Sequence, residues 1–567
     1  MSDRAAESAE PATIRRLLAA TSRWSRFAYW VAVAVLFTCA IWWRFRLPLE
    51  PIADRDTWGY LSPAVGKLIG TGFAHHLRNY FYPGFLFLIL RAFDDFRAIT
   101  VVQHVLGVAA GGIFLLVWQR IRTFAASPRL PRQLHATIGL AGAAIYLIAQ
   151  EPIRFETDIR PEGITSFLVI LNIFLILEFA YRCFLRGVNR IPVGLGVAAV
   201  VSAILLTLAK PSFAIAAAGA LAPVAATLFC PFPRKCKIAL LIGSSIAAVL
   251  LVLPAQLPAR GDKASEAFLP TQLFVTHADL IRDQMATDVS SAAETPYSRE
   301  WLRRVQQMLA TEIAKAATEK TYYPTLGFNL DYLMYNPTSV DAQMRREFGN
   351  RLGDLCAFYW FYYNRVWTQQ PQRMVGKISR QMLVFYCRVC PAYVPARAWS
   401  KGRLLSKEYS DSLSALEATG ARRVWIEYEP VGSLIRRTTE LAQKRLIVRV
   451  PPFLRRCEFF LARTYLLAVG LSVAVCLGVL YPRRLRRRLG LMAAVVLFLC
   501  WYNFGNCIEI AVIHTLDNFR YDTIQLIFTL LAQFAAVLLI AQCAFEIGRS
   551  VCSTLSDGLE RESITSA

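Results

Sequence analysis

Long runs of apolar residues alternate with short polar segments along most of this 567-residue chain. Ten of the runs are candidates for helices that cross a bilayer, which takes ~20 residues. They are residues 27–43, 98–118, 137–150, 164–181, 191–209, 211–230, 238–257, 459–481, 489–508 and 523–545. The pattern predicts an all-α polytopic membrane protein with roughly ten transmembrane helices.

The seventh and eighth runs are separated by about 200 residues, 258–458, that contain no convincing span. Apolar residues at helical spacing predict an amphipathic helix over 298–320, and segments 341–366 and 371–389 also have helical patterns. We therefore expect a mostly helical insert. Its aromatic cluster, 358–363, has two interpretations, which are packing in a core or at the membrane surface and a platform on which sugars stack.

Basic residues concentrate in four short loops, at 120–132, 182–190, 234–237 and 483–488. The formal net charge is +23 and 55% of the residues are hydrophobic. Because short cytoplasmic loops of membrane proteins are enriched in Arg and Lys, this excess indicates topology and places the four loops in the cytoplasm. A nucleic-acid partner is not expected, since the charge does not cluster on a folded basic face. The expected partner is the lipid bilayer.

This predicted membrane topology divides the chain into five segments. They are a loose cytoplasmic tail (1–26), a transmembrane core (27–257), an extracytoplasmic insert (258–458), C-terminal transmembrane helices (459–546) and a second cytoplasmic tail (547–567). A cleaved signal peptide is the alternative for the first apolar run, but no small-residue cleavage site follows it. Trp42 and Trp43 resemble an interfacial aromatic belt, so an uncleaved helix is favoured.

Thirteen cysteines are scattered along the chain, many of them in apolar runs where they act as small hydrophobes. The spacing Cys387-x-x-Cys390 is the one suggestive pattern. No thioredoxin-like strand precedes it. Packing, or a disulfide in an oxidising compartment, is favoured over a redox role.

Charged and polar residues at the ends of the apolar runs are the candidates for chemistry, because a charge at membrane depth is costly without a partner or a function. On the predicted topology all of them are extracytoplasmic. They are Asp54, Asp56, Glu156, Asp158, Arg160, Glu162, Lys210, His514, Asp517, Arg520 and Tyr521. A carboxylate can deprotonate an acceptor hydroxyl, and fixed cations can stabilise a departing phosphate, so the set suits group transfer. Each residue also has an ordinary alternative role. The aspartates can be solvated or cap a helix, the carboxylate-rich loop 156–162 can be a solvated turn, and Lys210 can extend its ammonium to the membrane interface.

Five short motifs occur in order on the same predicted side of the membrane. They are Asp56-Thr57-Trp58-Gly59-Tyr60-Leu61, Tyr82-Pro83-Gly84, Arg160-Pro161-Glu162-Gly163, Leu206-Thr207-Leu208-Ala209-Lys210-Pro211 and Arg520-Tyr521. Together they resemble the GT-C superfamily of glycosyltransferases that use polyprenyl-phosphate sugars, especially the bacterial branch of lipid A aminoarabinose transferases and protein O-mannosyltransferase relatives. The chain departs from the family pattern at Gly84, where a second proline is usual, and at Asp522, where a proline usually follows Arg-Tyr.

The resemblance implies a GT-C-like helical core and a sugar donor carried on a polyprenyl phosphate. Asp56 would be the general base of an inverting transfer, with Asp54 in an auxiliary role. The implied substrate-binding residues are Tyr60, Asp158, Arg160, Lys210, His514, Asp517, Arg520 and Tyr521, with Lys210 and Arg520 at the donor phosphate. Glu162, together with Asp158, would orient the acceptor or sugar, or hold a divalent cation.

The acceptor implied is an envelope glycolipid, polysaccharide or protein, and the location is the cell inner membrane with the active site on its periplasmic side. No cofactor is expected apart from that possible cation. Two other classes compete. A transporter or flippase of lipid-linked glycans would carry intramembrane charges as well, but it should show inverted or parallel repeats and broken helices at the midplane. The sequence shows neither, and its charges lie at one interface. A non-catalytic scaffold for envelope assembly would act through the insert.

Overall fold

The structure is a computed structural model that describes residues 12–73, 78–126, 130–186, 191–259, 263–291, 294–394, 403–417 and 427–565. The residues that the structure describes are 80% helical with almost no strand, which confirms the all-α class. The first eleven helices are α1 (Ala12–Phe45), α2 (Thr57–Leu68), α3 (Phe81–Phe93), α4 (Arg97–Ile121), α5 (Arg132–Ile148), α6 (Gln150–Thr157), α7 (Glu162–Ala180), α8 (Val193–Ala209), α9 (Ala214–Ala220), α10 (Ala222–Ala226) and α11 (Arg234–Ala259). Helix α1 begins inside the segment that we expected to be a loose tail.

The remaining helices belong to the insert and the C-terminal part. In the insert they are α12 (Lys263–Thr276), α13 (Ala278–Ser290), α14 (Arg299–Ala317), α15 (Leu330–Tyr335), α16 (Val340–Phe348), α17 (Leu352–Gln369), α18 (Pro371–Phe385), α19 (Leu405–Glu417) and α20 (Glu429–Gln443). Two short strands, β1 (Arg403–Leu404) and β2 (Ile447–Val448), pair antiparallel. The chain continues with α21 (Pro452–Leu480), α22 (Arg483–Ile513), α23 (Phe519–Thr523) and α24 (Leu526–Thr565).

Seven helical segments of the described chain are long and apolar enough to cross a membrane. They are Ser25–Phe45, Arg97–Phe124, Glu162–Leu185, Arg234–Pro254, Pro452–Leu480, Arg483–Ile513 and Leu526–Arg549. An eighth is possible if α5 and α6, which meet at a bend of 46°, form one broken span. The other two of the ten predicted spans coincide with shorter apolar helices, Val193–Ala209 and Pro211–Ala226. The protein is thus a multi-pass membrane protein.

The insert is helical where the sequence pattern indicated, with one difference. Ser298 caps α14 by accepting a hydrogen bond from the backbone N–H of Trp301. The single helix expected over 341–366 is broken into α16 and α17, because Gly349 has a φ of 53° that other residues rarely adopt.

Two observations decide the roles of side chains that the insert sequence left open. Phe358, Tyr359 and Tyr362 are fully buried, so these rings of the aromatic cluster pack in a core and offer no exposed stacking face. Cys387 and Cys390 are both free thiols. Packing is therefore the role of these three rings, whereas Trp360 of the same cluster is 36% exposed, and the two cysteines form no disulfide with each other.

The two ends of the helix bundle differ in their polar groups. At one end the basic loops predicted to be cytoplasmic meet, since the backbone N–H of Ala126 donates to the carbonyl of Arg488. Arg488 also pairs with Glu546, and Arg120 pairs with Glu178. The opposite end gathers the loops that follow α1 and precede α7 and α24. Most of the candidate polar residues lie there.

A buried ionic triad lies directly beneath that second end. The Nε and Nη2 atoms of Arg44, in the last turn of α1, donate to the Glu156 carboxylate over 2.7 and 2.8 Å. The Nδ1 atom of His104 lies 2.8 Å from the same carboxylate. All three side chains are buried. Glu156 therefore joins α1, α4 and α6, which fixes the loop that leads to Asp158 and Glu162.

Candidate functional site

The first helix of the site, α2, begins at a pair of aspartates that have different environments. Oδ1 of Asp54 accepts hydrogen bonds from the backbone N–H groups of Asp56 and Thr57, over 2.9 and 3.1 Å. The backbone N–H of Asp54 in turn donates to the Thr57 hydroxyl over 2.8 Å. Asp54 thus caps the helix, since these N–H groups have no partner within it. The Asp56 carboxylate makes no capping bond.

Three arginines from separate parts of the chain contact the Asp56 carboxylate. Arg78 donates to Oδ1 over 3.1 Å, and Arg160 and Arg520 each donate to Oδ2 over 3.1 Å. Arg160 also pairs with Asp54. The Asp56 side chain is 36% exposed, whereas those of Arg160 and Arg520 are 13% and 20% exposed. The Asp54 side chain is 34% exposed as well, so Asp56 differs from Asp54 in making no capping bond and not in exposure.

A second ion pair borders this group. Lys210 ends α8 in an extended conformation, and its Nζ donates to Oε1 of Glu162 over 2.8 Å. Nε of Arg520 lies 3.5 Å from the same oxygen. The side chains of Lys210 and Glu162 are only 7% and 3% exposed, so this lysine does not reach out to the interface. Arg520 links the two groups, and together they form one charged cluster.

The charged cluster has an excess of cations. It contains four of them, Arg78, Arg160, Lys210 and Arg520, against the three carboxylates of Asp54, Asp56 and Glu162. Among the described residues, the buried Nε–H groups of Arg160 and Arg520 have no hydrogen-bond partner. Buried donors without a partner are costly, and a bound anion would satisfy them.

No family model, curated protein or solved structure matches this chain. The function of the site therefore rests on the geometry of its own charged residues.

Tyr521 completes one wall of the charged cluster. Its hydroxyl accepts a hydrogen bond from Nη2 of Arg520 over 3.3 Å, and the Lys210 ammonium lies 4.9 Å from the centre of its ring. The ring of His514 is 5.1 Å away. Burial opposes ionisation of the phenol, but the charges of His514, Arg520 and Lys210 outweigh it and lower the pKa of Tyr521 to about 7.

Two of the residues predicted to bind substrate lie outside the charged cluster. The carboxylate of Asp158 faces Arg154, with 3.4 Å between Oδ2 and Nη1, and burial raises the pKa of this carboxyl to about 7. Asp517 accepts hydrogen bonds from the backbone N–H and the hydroxyl of Thr325, over 2.8 and 2.7 Å. Asp517 therefore attaches the insert to the loop that carries Arg520.

The residues expected to hold a divalent cation do not converge on one point. Glu162 faces Lys210 and Arg520, whereas Asp158 faces Arg154. Across the described residues, no three His, Cys, Asp or Glu side chains are close enough to hold a metal ion. His75 and His76 lie outside the described residues. We derive no step through a metal.

Arg78 is the one member of the charged cluster that the sequence analysis missed. It lies 22 residues after Asp56, shortly before Tyr82-Pro83, and its guanidinium stacks over the Tyr60 ring at 4.7 Å. A Cβ atom on Gly59 would lie 3.0 Å from Nε of Arg78, so glycine leaves room for this approach. A single arginine in a polar loop belongs to no motif that would mark it in the sequence as a site residue.

Proposed function

We propose that this protein is a membrane glycosyltransferase that moves a sugar from a polyprenyl-phosphate carrier to an acceptor hydroxyl. The observation that supports this most strongly is the Asp56 carboxylate among three arginines, with the Lys210–Glu162 pair beside it. A solvent-accessible carboxylate and several fixed cations are what such a transfer needs, since a proton leaves the acceptor while negative charge develops on a phosphate.

In the proposed reaction the acceptor oxygen attacks the anomeric carbon and the bond from that carbon to the phosphate oxygen breaks. The hydroxyl proton passes to the carboxylate of Asp56. The polyprenyl phosphate that leaves gains one negative charge, which Lys210 and Arg520 are placed to stabilise. Attack opposite the leaving group inverts the configuration of the sugar.

The contacts between Asp56 and the arginines suggest that the donor binds before Asp56 accepts the proton. Without a donor, Arg160 and Arg520 are partnered by Asp56. A phosphate would satisfy the free Nε–H of Arg160, compete with Glu162 for that of Arg520, and draw the guanidiniums away from the carboxylate. Binding of the donor would thereby release Asp56 to accept a proton.

We propose that the acceptor is an envelope glycolipid, polysaccharide or protein, and that transfer takes place on the periplasmic face of the cell inner membrane. The basic loops at the opposite end of the bundle support this side, because such loops favour the cytoplasm. No nucleotide is required, because the carrier lipid supplies the leaving phosphate.

The test is mass spectrometry of envelope glycans and lipid-linked sugars from a deletion strain that carries wild-type protein, Asp56→Asn or, as a control, Asp411→Asn. Asp411 forms an exposed pair with Lys407, far from the charged cluster in sequence. We expect the deletion and Asp56→Asn strains to lose one sugar-bearing product and accumulate its polyprenyl-phosphate donor on the periplasmic side, while the control restores the product.

Two outcomes would contradict the proposal. Donor that accumulates only on the cytoplasmic side, protected in spheroplasts from a membrane-impermeant oxidant, would indicate a flippase. Full restoration of the product by Asp56→Asn would indicate a scaffold, because a scaffold needs no proton acceptor.

A further inference from the structure

A groove of about 520 Å³ lies beside the C-terminal end of α1, apart from the charged cluster. One wall is formed by Trp43, Arg46 and the two residues that follow. The other is formed by residues 446–449 of β2 and its flanks, together with Leu405. Most of the lining is apolar, and the exceptions are the guanidiniums of Arg46 and Arg449.

The two arginines have no counter-ion in the part of the chain that the structure describes. No carboxylate of those residues pairs with Arg46, whose guanidinium stacks over the rings of Trp43 and Trp42 at 3.6 and 4.8 Å. Arg449 likewise forms no ion pair there, and both arginines are exposed. Stacking on aromatic faces holds a guanidinium in place while its N–H groups stay free to bind an anion.

The position of the groove relative to the candidate spans indicates what kind of anion reaches it. The span in α1 ends at Phe45, one residue before Arg46, and the span in α21 begins at Pro452, three residues after Arg449. Both arginines therefore lie at the level where hydrocarbon gives way to head groups, and Trp42, 60% exposed, is typical of that level. Only 11% of the α1 span is buried within the protein, so this helix faces lipid.

We propose that this groove binds the phosphate head group of an anionic phospholipid from the surrounding bilayer, with Arg46 and Arg449 as its ligands. Unpaired basic residues beside a membrane attract anionic lipid in this way. The acyl chains would lie along the exposed apolar residues of α1, among them Ile41 and Val35. The site differs from that of the sugar donor, and the proposal does not depend on the proposed function.

The groove also has a connection to the loop that carries Asp56. A small apolar cluster forms its inner side and includes Leu47, Leu405 and Val448 from the lining together with Ile52. The backbone of Ile52 pairs with Asp158 and immediately precedes the Asp54 segment. A lipid that orders the groove would therefore order this loop as well.

The experiment measures lipid binding to the purified full chain in nanodiscs of phosphatidylcholine that contain increasing amounts of phosphatidylglycerol. Bound lipid is counted by native mass spectrometry. We expect phosphatidylglycerol to be retained in preference to phosphatidylcholine, and the preference to fall roughly tenfold or more in the double variant Arg46→Gln/Arg449→Gln. The preference should also weaken with salt, because exposed charges are screened.

Two further variants keep the test decisive. Arg303→Gln/Arg436→Gln removes two exposed arginines of the insert and should leave the preference unchanged. Arg46→Lys/Arg449→Lys keeps the charge and should retain most of the preference. A melting temperature of the double glutamine variant equal to that of the wild type excludes misfolding as the cause of the loss.

Three results would overturn the proposal. Two of them are equal retention of the two phospholipids by the wild type and an unchanged preference in the double glutamine variant. The third comes from nanodiscs to which polyprenyl phosphate is added: if the double glutamine variant loses bound polyprenyl phosphate alone, the groove belongs to the donor lipid.

Discussion

Arg520 donates a hydrogen bond to Asp56 across 464 residues of sequence, with 3.1 Å between Nη1 and Oδ2. This contact joins the loop after the first transmembrane helix to the loop before the last one. It brings the carboxylate proposed as general base next to a cation proposed to stabilise the leaving phosphate.

The two aspartates at the start of α2 should differ in their effect on catalysis. Asp56→Asn keeps the size of the side chain but removes its ability to accept a proton, so sugar transfer should fall by at least ~100-fold. Asp54→Asn should lose less activity, because Asp54 caps the helix and amide oxygens cap nearly as well. Transfer rates with saturating donor measure both effects. If Asp54→Asn is the inactive variant, the assignment of the base is wrong by two residues.

The Lys210–Glu162 pair should have separable structural and functional roles. Lys210→Met leaves the Glu162 carboxylate buried with one cation fewer, so it should be destabilising, and Lys210→Met/Glu162→Gln should recover much of that loss. Donor use should not recover in the double variant. A rise of the donor KM by tenfold or more is expected in both, since a bond to a charged group contributes ~1.5–3 kcal/mol.

The measurement is the melting temperature and the donor kinetics of four proteins: the wild type, Lys210→Met, Glu162→Gln and the double variant. Recovery of donor use together with stability would show that Lys210 serves Glu162 alone.

Glu156 should be structural and not catalytic. Its carboxylate is buried against Arg44 and His104, so Glu156→Gln should lower the free energy of unfolding by ~3–5 kcal/mol, the usual effect of breaking a buried pair. Asp411→Asn, which removes an exposed pair, should change it by ~0–1 kcal/mol. Thermal unfolding in detergent compares them. Similar melting temperatures for the two variants would contradict the role assigned to the triad.

Ionisation of Tyr521 should give stability a specific pH dependence. Its pKa is lowered to about 7 in the folded protein from the usual tyrosine value of 10.0. The phenolate form thus favours the folded state, so this contribution is full above about pH 10, decreases below it and is lost as the pH falls through about 7. The variant Tyr521→Phe lacks this contribution to stability. The difference in melting temperature between wild type and variant should therefore grow with pH across that window.

Phenolate absorbance gives an independent check of the same group. The wild type should show an extra phenolate near neutral pH that Tyr521→Phe lacks. A difference in melting temperature that is flat with pH would refute this assignment.

The orientation of the chain can be tested with fusion reporters. Alkaline phosphatase fused after Thr325 should be active, and after Cys236 or Arg487 it should be inactive, because the basic loops favour the cytoplasm. A fluorescent protein that folds only in the cytoplasm should give the opposite pattern. Activity of the phosphatase fused after Arg487 would show that the predicted topology is inverted, with the charged cluster on the cytoplasmic face.

Much of the fold followed from local sequence patterns. Runs of apolar residues predicted the membrane helices, because a segment that crosses hydrocarbon has to satisfy its own backbone and present apolar side chains. The spacing of Trp301, Val305 and Leu309 predicted α14 for the same local reason, since residues three or four apart share a helix face. The break at Gly349 was missed because a glycine inside an amphipathic pattern does not reveal the φ that it adopts.

The candidate site was predicted in part. Asp56, Arg160, Lys210 and Arg520 were singled out because charges at the ends of apolar runs need a partner or a function. That reasoning does not say which charge pairs with which. Asp158 was grouped with its neighbours in sequence, but its side chain turns to Arg154 on the preceding helical turn.

The sequence by itself determined a helical membrane protein with its basic loops at one end and most of its polar residues at the other. The tertiary structure decided that Arg78 and Arg520 share Asp56, that Glu156 and Asp517 hold the framework together, and that Arg46 and Arg449 face one groove. The reason is physical. Periodicity and hydropathy are properties of adjacent residues, whereas the partner of a charge depends on how distant helices pack.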